Sequence, residues 1–125
     1  MRLLLDTHIL YWSFYERRRL SRKTLKLIDQ AEEIFVSAAS IWEISIKVRL
    51  GKINADLTEL LDSIEPSGFQ ELPVFSRHAL VVASLPLYLT DPFDRLLVAQ
   101  AVSEPLHLVT VDAQLKQYGE LVIEV

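Results

Sequence analysis

The chain has 125 residues, half of them hydrophobic, and a net charge of −4. These values fit one ordinary globular domain with a real core and argue against a protein that coats nucleic acid non-specifically. The absence of cysteine excludes disulfides, thiolate nucleophiles and thiolate metal sites. No apolar run reaches the ~18 residues of a membrane span, and Asp6 cuts short the only apolar run near the N-terminus, so we expect a cytoplasmic protein without membrane contact.

The first thirty residues predict a strand and two helices. Arg2–Leu5 is a short apolar run that is typical of a buried strand. Thr7–Tyr15 has a helical pattern with a broad apolar surface. Ser21 is placed to cap a second helix, in which we expect Leu25 and Ile28 to point inward.

A second strand and a long helix follow. The strand is predicted at Ile34–Val36, and Ser37 caps a helix that ends before Gly51. Glu43 lies off the apolar stripe of this helix, one turn from Lys47. Such Glu–Lys pairs are common on helix surfaces, so the residues alone favour a surface position for Glu43.

The remaining chain continues the alternation of helices and strands. Further helices are predicted at Asp56–Ile64, Ser76–Leu85, Thr90–Val102 and Ala113–Tyr118, and further strands at Phe69–Val74, Leu106–Thr110 and Leu121–Val125. The clearest start is that of the helix in Thr90–Val102, where Asp91 suits the N-cap and Pro92 the first helical position. Asp94 is a second acid in the same turn, over an apolar stripe of the helix. Because Asp91 already supplies the cap, Asp94 indicates that a cation is needed nearby.

Strands that alternate with helices predict an α/β fold with three layers, in which a mostly parallel sheet of about five strands has helices on both faces. Asp6 and Asp112 follow strands, and Asp94 begins a helix that opens on the same edge of the sheet. The helix of Glu43 also starts after a strand, so the four acids can converge at the edge where open α/β sheets bind ligands. Asp112 remains open to a second interpretation, as a helix cap.

A converging set of acids would need a counter-charge. Two carboxylates 4 Å apart repel by roughly 4 kcal/mol at an effective dielectric constant near 20. Oxygen ligands without cysteine or a suitably spaced histidine favour a hard ion, Mg²⁺ or Mn²⁺. The chemistry that matches such a site is phosphoryl transfer.

The chain resembles the PIN-domain ribonucleases of the VapC type, the toxins of bacterial VapBC toxin–antitoxin pairs. The resemblance covers essentially the whole chain, 1–125, as a single PIN domain. It rests on four segments in this order and spacing: LLLDTHILYW, SAASIWEISIKVRLGKI, DPFDRLLVAQA and LVTVD. One departure is visible, since relatives often have a histidine and a basic residue where this chain has Leu89 and Thr90.

The resemblance implies a toxin that cleaves RNA internally with Mg²⁺, or Mn²⁺, as cofactor. The family's four acids fall on Asp6, Glu43, Asp94 and Asp112, with the hydroxyl of Thr110 supporting them. By analogy, Asp6 and Asp94 bind the metal most directly, while Glu43 and Asp112 complete its coordination or orient and deprotonate water. The implied partners are RNA as substrate, a cognate antitoxin protein and a second copy of the chain in a homodimer.

The chain fits two other families with an acid after the first strand less well. A haloacid-dehalogenase phosphatase requires an acid two residues after the first Asp, where this chain has His8. A response-regulator receiver requires an adjacent acidic pair near the first strand, which the chain lacks. The main alternative is a catalytically inactive PIN-like module that binds RNA or a protein. Lys47 and Arg95 are predicted to form salt bridges, with phosphate contact as the alternative. The basic residues 17–26 are interpreted as a solvated face or a surface that binds a partner, slightly favoured over contact with RNA.

Overall fold

The computed structural model describes residues 1–125 as a five-stranded sheet between two layers of helices. The strands are β1 (Arg2–Leu5), β2 (Glu33–Ser37), β3 (Phe69–Leu72), β4 (His107–Thr110) and β5 (Val122–Glu124). The α-helices are α1 (Thr7–Tyr15), α2 (Arg22–Gln30), α3 (Ala38–Arg49), α4 (Leu57–Ile64), α5 (Ser76–Ser84) and α6 (Pro92–Ser103). Two 3-10 helices cover Arg17–Arg19 and Ala113–Tyr118.

The sheet has the order β3-β2-β1-β4-β5, and every neighbouring pair of strands is parallel. The predicted fold class is therefore confirmed, with a sheet that is entirely parallel. The strand order reverses between β1 and β4, the place where open α/β sheets form a ligand-binding crevice at the carboxyl ends of the strands. Asp6 follows β1 directly, and Thr110 is the last residue of β4.

Each face of the sheet carries its own apolar core, which explains the continuous apolar run of β1. Leu3 and Leu5 belong to the core shared with α1, α3 and α4, whereas Leu4 belongs to the core shared with α6. All three leucines are fully buried. Because side chains of a strand alternate between faces, a run of three leucines can serve both layers.

Predicted caps account for the starts of three of the six α-helices. Ser21 and Ser37 accept hydrogen bonds from the backbone N–H groups of Thr24 and Ala39, and Asp91 accepts from those of Phe93 and Asp94. Three caps predicted from sequence are thus confirmed.

One predicted detail was wrong. Leu25 is predicted to point inward but is 38% exposed, because the inward face of α2 is formed by the buried Thr24 together with Leu27 and Ile28. The predicted short helix Ala113–Tyr118 is present with these bounds, as a 3-10 helix in the connection between β4 and β5. None of the helices combines the length and apolar character that crossing a bilayer requires.

Candidate active site at the carboxyl edge of the sheet

The crevice between β1 and β4 holds two acids that are joined through one hydroxyl. Asp6 is 3% exposed, and its Oδ1 accepts a hydrogen bond of 2.9 Å from the backbone N–H of Ile9. Its Oδ2 accepts a short hydrogen bond from the Thr110 hydroxyl, whose oxygen accepts in turn from the backbone N–H of Asp112 at 3.0 Å. The hydroxyl of Thr110 therefore fixes the Asp6 carboxylate and the backbone from which the Asp112 side chain departs.

The same hydrogen bonds oppose the cost of burying Asp6. Burial raises the pKa of Asp6, the hydrogen bonds from Ile9 and Thr110 lower it, and the nearby Glu43 carboxylate raises it. Asp112 also acts as the cap of the following 3-10 helix, since its Oδ1 accepts from the backbone N–H of Gln114. Both sequence interpretations of Asp112, as cap and as neighbour of the other acids, are therefore realised at once.

Asp94 faces these acids from the first turn of α6. The pKa of Asp94 is raised to about 7, chiefly by burial and then by the negative charges of Asp91, Glu43, Asp6 and Asp112. No protein group donates a hydrogen bond to the Asp94 side chain, whereas its neighbour Asp91 is satisfied as a helix cap. Asp94 is thus a half-buried carboxyl group whose ionised form lacks a counter-charge from the protein.

Glu43 is less exposed than a surface acid. Its side chain is 14% exposed, Oε2 lies 3.3 Å from the Lys47 ammonium, and Oε1 is buried without a hydrogen-bond partner. The predicted Glu–Lys pair is therefore present, but it satisfies only one of the two carboxylate oxygens. An unpaired buried carboxylate oxygen is costly and indicates a missing cation or donor.

The arrangement is compatible with a hydrated divalent ion. As the side chains stand, no three His, Asp or Glu side chains lie close enough together to hold a metal ion directly. Mg²⁺ is usually held by one or two carboxylates and several waters, so a more open set of acids suits it. The oxygen-only donor set and the orphaned Glu43 Oε1 fit such an ion.

Arg95 has a structural role that the sequence did not reveal. Its guanidinium donates to the backbone carbonyls of Val82, Pro86 and Leu89 and to the Tyr118 hydroxyl. The predicted salt bridge with a site acid is absent, because these acceptors occupy the guanidinium. Arg95 instead anchors the loop between α5 and α6 and so sets where α6, with Asp94, begins.

Two further contacts near the site were also missed. The Thr7 hydroxyl donates to the Ser40 hydroxyl at 3.0 Å between buried residues, which joins the starts of α1 and α3. The rings of Trp42 and Phe93 meet edge to face, with centroids 5.1 Å apart, next in sequence to Glu43 and Asp94. No local sequence pattern signals either contact, because each joins residues that are far apart in the chain.

Comparisons with known proteins agree with this architecture. A family model for the PIN domain matches residues 3–121. Ribonuclease VapC22 of Mycobacterium tuberculosis is 30% identical over 122 residues, covering 93% of this chain and 91% of that protein.

Solved structures show the same fold. VapBC2 from Rickettsia felis, bound to a DNA fragment from its promoter, has a TM-score of 0.75 at 20% identity and covers 99% of this chain and 98% of that chain. A toxin–antitoxin complex from Klebsiella pneumoniae has a TM-score of 0.69 at 20% identity, with coverage of 98% and 99%. Since the PIN model spans nearly the whole sequence and the mycobacterial relative aligns along almost its full length, this chain belongs to the PIN-domain family and is of the VapC type.

Proposed function

We propose that this chain is a metal-dependent endoribonuclease that acts in the cytoplasm as the toxin of a type II toxin–antitoxin pair. The observation that carries the proposal is the gathering of carboxylates around the half-buried Asp94, whose charges add to the larger effect of burial in raising its pKa to about 7. A cluster of this kind lowers the stability of a protein without its ligand, so its presence favours a site that binds a cation.

The proposed cofactor is Mg²⁺, with Mn²⁺ as a substitute. Asp6 and Asp94 would hold the ion most directly, and Glu43 and Asp112 would complete its coordination through their carboxylates or through water. When bound, the ion would neutralise the acids, activate water and offset charge on the phosphate oxygens. The unpaired Glu43 Oε1 and the Asp94 carboxylate without a donor support this assignment.

The protein groups would position the reactants of a hydrolysis. A water oxygen would form a bond to phosphorus and the bond from phosphorus to the leaving ribose oxygen would break. The water would lose a proton, and the leaving oxygen would gain one from solvent. Glu43 and Asp112 are the candidates to orient that water and take the proton. Thr110 would act as a positioning residue, because its hydroxyl fixes Asp6 and the backbone of Asp112.

The proposed partners are an RNA substrate, a cognate antitoxin and a second copy of the chain. The mycobacterial relative is named a ribonuclease, and the Klebsiella structure is described as a toxin–antitoxin complex, which supports the first two. The homodimer is supported by large apolar side chains left in solvent, above all Leu80 and Leu87, which are 75% and 73% exposed.

The test is metal-dependent cleavage of RNA by the purified chain. Wild type should cleave single-stranded RNA in Mg²⁺ or Mn²⁺ and not with a chelator, and Asp6→Asn and Asp94→Asn should each lose more than about a hundredfold in rate. Asp56→Asn is the matched control, because Asp56 is also an acid at a helix start but caps the remote α4. Absence of cleavage and of Mg²⁺ binding by calorimetry would refute the proposal and leave the inactive binding module.

A further inference from the structure

A groove runs from the acidic site along α1. A cavity of about 310 Å³ lies beside the site, and its walls include Thr7, Trp12, Arg19, Lys47 and Val111. A second cavity of about 280 Å³ shares Trp12, Arg19 and Val111 and continues to the start of α2. We call the two cavities together the Trp12 groove; the first alone is at the lower end of the sizes of small-ligand pockets, ~300–1,000 Å³.

One end of the groove lies next to the acids, although none of the four acids lines either cavity. Thr7 is the residue after Asp6, and Val111 lies between Thr110 and Asp112. Lys47, on the opposite wall, is the partner of Glu43. A molecule that lies in the groove and extends past this end would therefore reach the carboxylates.

A flat cationic surface divides the two cavities. The guanidinium carbon of Arg19 lies 4.4 Å from the centroid of the Trp12 ring. Arg19 is also 3.4 Å from Glu16, but with the arginine side chain 53% exposed this ion pair contributes little. An aromatic ring and a guanidinium plane are the two protein groups on which bases of single-stranded nucleic acid stack.

Positive charge is concentrated beyond the groove. Six of the 13 Lys and Arg residues of a chain with net charge −4 fall within ten positions: Arg17, Arg18, Arg19, Arg22, Lys23 and Lys26. The consecutive Arg17–Arg19 form the 3-10 helix at the rim, and none of the three is buried. The acids at one end of the groove repel a polyanion, but the arginines at the other end attract it. The charge along the groove therefore suits a phosphate chain better than an apolar peptide.

We propose that the Trp12 groove binds an unpaired nucleotide close to the scissile phosphate of the RNA. The base packs against Trp12 and Arg19, and the phosphates that follow it lie along Arg17 and Arg18. The inference rests on the proposed ribonuclease function for the nature of the chain that enters the site. Stacking accepts every base, so this nucleotide contributes affinity and position with little sequence preference.

The experiment measures binding apart from cleavage. Trp42→Phe leaves Trp12 as the only tryptophan of the chain, which has two. In this background, with a chelator present, the probe is a single-stranded RNA of roughly eight nucleotides. We expect it to quench Trp12 fluorescence, whereas an abasic oligomer of the same length and a polyglutamate peptide should not.

Arg19→Gln is the decisive variant, and Arg77→Gln is its matched control. Arg77 also stacks on a ring, that of Phe75 at 4.6 Å, pairs with a glutamate and is similarly exposed, but it lies outside the groove. Arg19→Gln should weaken RNA binding about five- to a hundredfold, and Arg77→Gln by less than about twofold.

The outcomes separate this inference from the proposed function. Equal loss in both arginine variants, no quenching by RNA, or equal quenching by the abasic oligomer or the acidic peptide would each overturn the inference, even if wild type cleaves RNA. Quenching and an Arg19-dependent affinity in a chain that does not cleave RNA would support the groove while refuting the ribonuclease proposal.

Discussion

Replacing Asp94 by Asn should make the metal-free protein more stable at neutral and alkaline pH. In the folded chain the pKa of this carboxyl is raised from 3.8 to about 7, so the folded state resists its ionisation while the unfolded state does not. The folded form therefore holds a proton that the unfolded form has lost between about pH 4 and pH 7. Stability contributed by Asp94 falls with rising pH across this window and stays low above it.

The size of the effect follows from the shift and from solvent access. A shift of about 3 pH units corresponds to at most about 4 kcal/mol. Asp94 is only half-buried, so screening by solvent reduces this to about 1–3 kcal/mol. Loss of the acid from the first turn of α6 removes about 0.3–1 kcal/mol of favourable interaction with the helix dipole, which leaves a net gain of about 1–2 kcal/mol from the middle of these two ranges.

Thermal unfolding with a chelator present measures this gain. The melting temperature of Asp94→Asn should exceed that of wild type by roughly 3–8 °C at pH 8, and the difference should vanish near pH 4. Asp56→Asn keeps a side-chain oxygen that can cap α4, so it should change the melting temperature little at either pH. Adding Mg²⁺ should raise the melting temperature of wild type and have less effect on Asp94→Asn. An Asn variant no more stable than wild type at pH 8, or a difference independent of pH, would refute the electrostatic account of the site.

Two further predictions concern groups that support the site, and a third concerns the ion pairs between α5 and the end of α6. Thr110→Val should destabilise the protein by about 1–3 kcal/mol and lower the rate of RNA cleavage, because it removes the donor to Asp6 and the acceptor for Asp112. Thr110→Ser should restore both stability and rate, as measured by urea unfolding and a cleavage assay. Arg95→Lys should cost about 2–3 kcal/mol in urea unfolding, since an ammonium cannot span the carbonyls of Val82 and Pro86 together. Glu104→Gln should lower the urea midpoint of unfolding at pH 7, because hydrogen bonds from His78 and Arg77 lower the pKa of Glu104 and so stabilise the folded protein. That stabilisation is lost as the carboxyl protonates, so the urea midpoint of the variant should fall less in acid than that of wild type. An unchanged midpoint at pH 7 would contradict this prediction.

The arrangement of elements was predictable because each rule that sets it is local. Asp91 and Pro92 mark the start of α6, and Ser37 marks that of α3, through caps that involve only neighbouring residues. Alternation of strands and helices then imposes parallel strands with their carboxyl ends at one edge. The proximity of Asp6 to Thr110 follows from the pairing of β1 with β4.

Contacts between distant segments were not predictable. Arg95 was expected near an acid, yet its position is set by carbonyls of a loop whose path no local pattern defines. His78 is fully buried, accepts from the backbone N–H of Phe75 and, with its other nitrogen, donates to Glu104 at 2.7 Å, and no local sequence pattern signals the contact with Glu104. The stacking of Arg19 on Trp12 depends on a 3-10 turn that the run of arginines does not signal.

The acids differ in how firmly the protein holds them, and this difference bears on how a metal would be bound. Two hydrogen bonds fix the Asp6 carboxylate, one from a backbone N–H at the start of α1 and one from the hydroxyl at the end of β4. Asp94 has no donor, and Glu43 has one oxygen paired and one orphaned. An ion would therefore meet one preorganised ligand and two helix-borne ligands whose electrostatic cost it relieves. Bound metal would relieve that cost, so the increase in unfolding free energy that Mg²⁺ produces should follow metal affinity across acid variants. A variant that loses metal affinity but keeps the full stabilisation by Mg²⁺ would contradict this account.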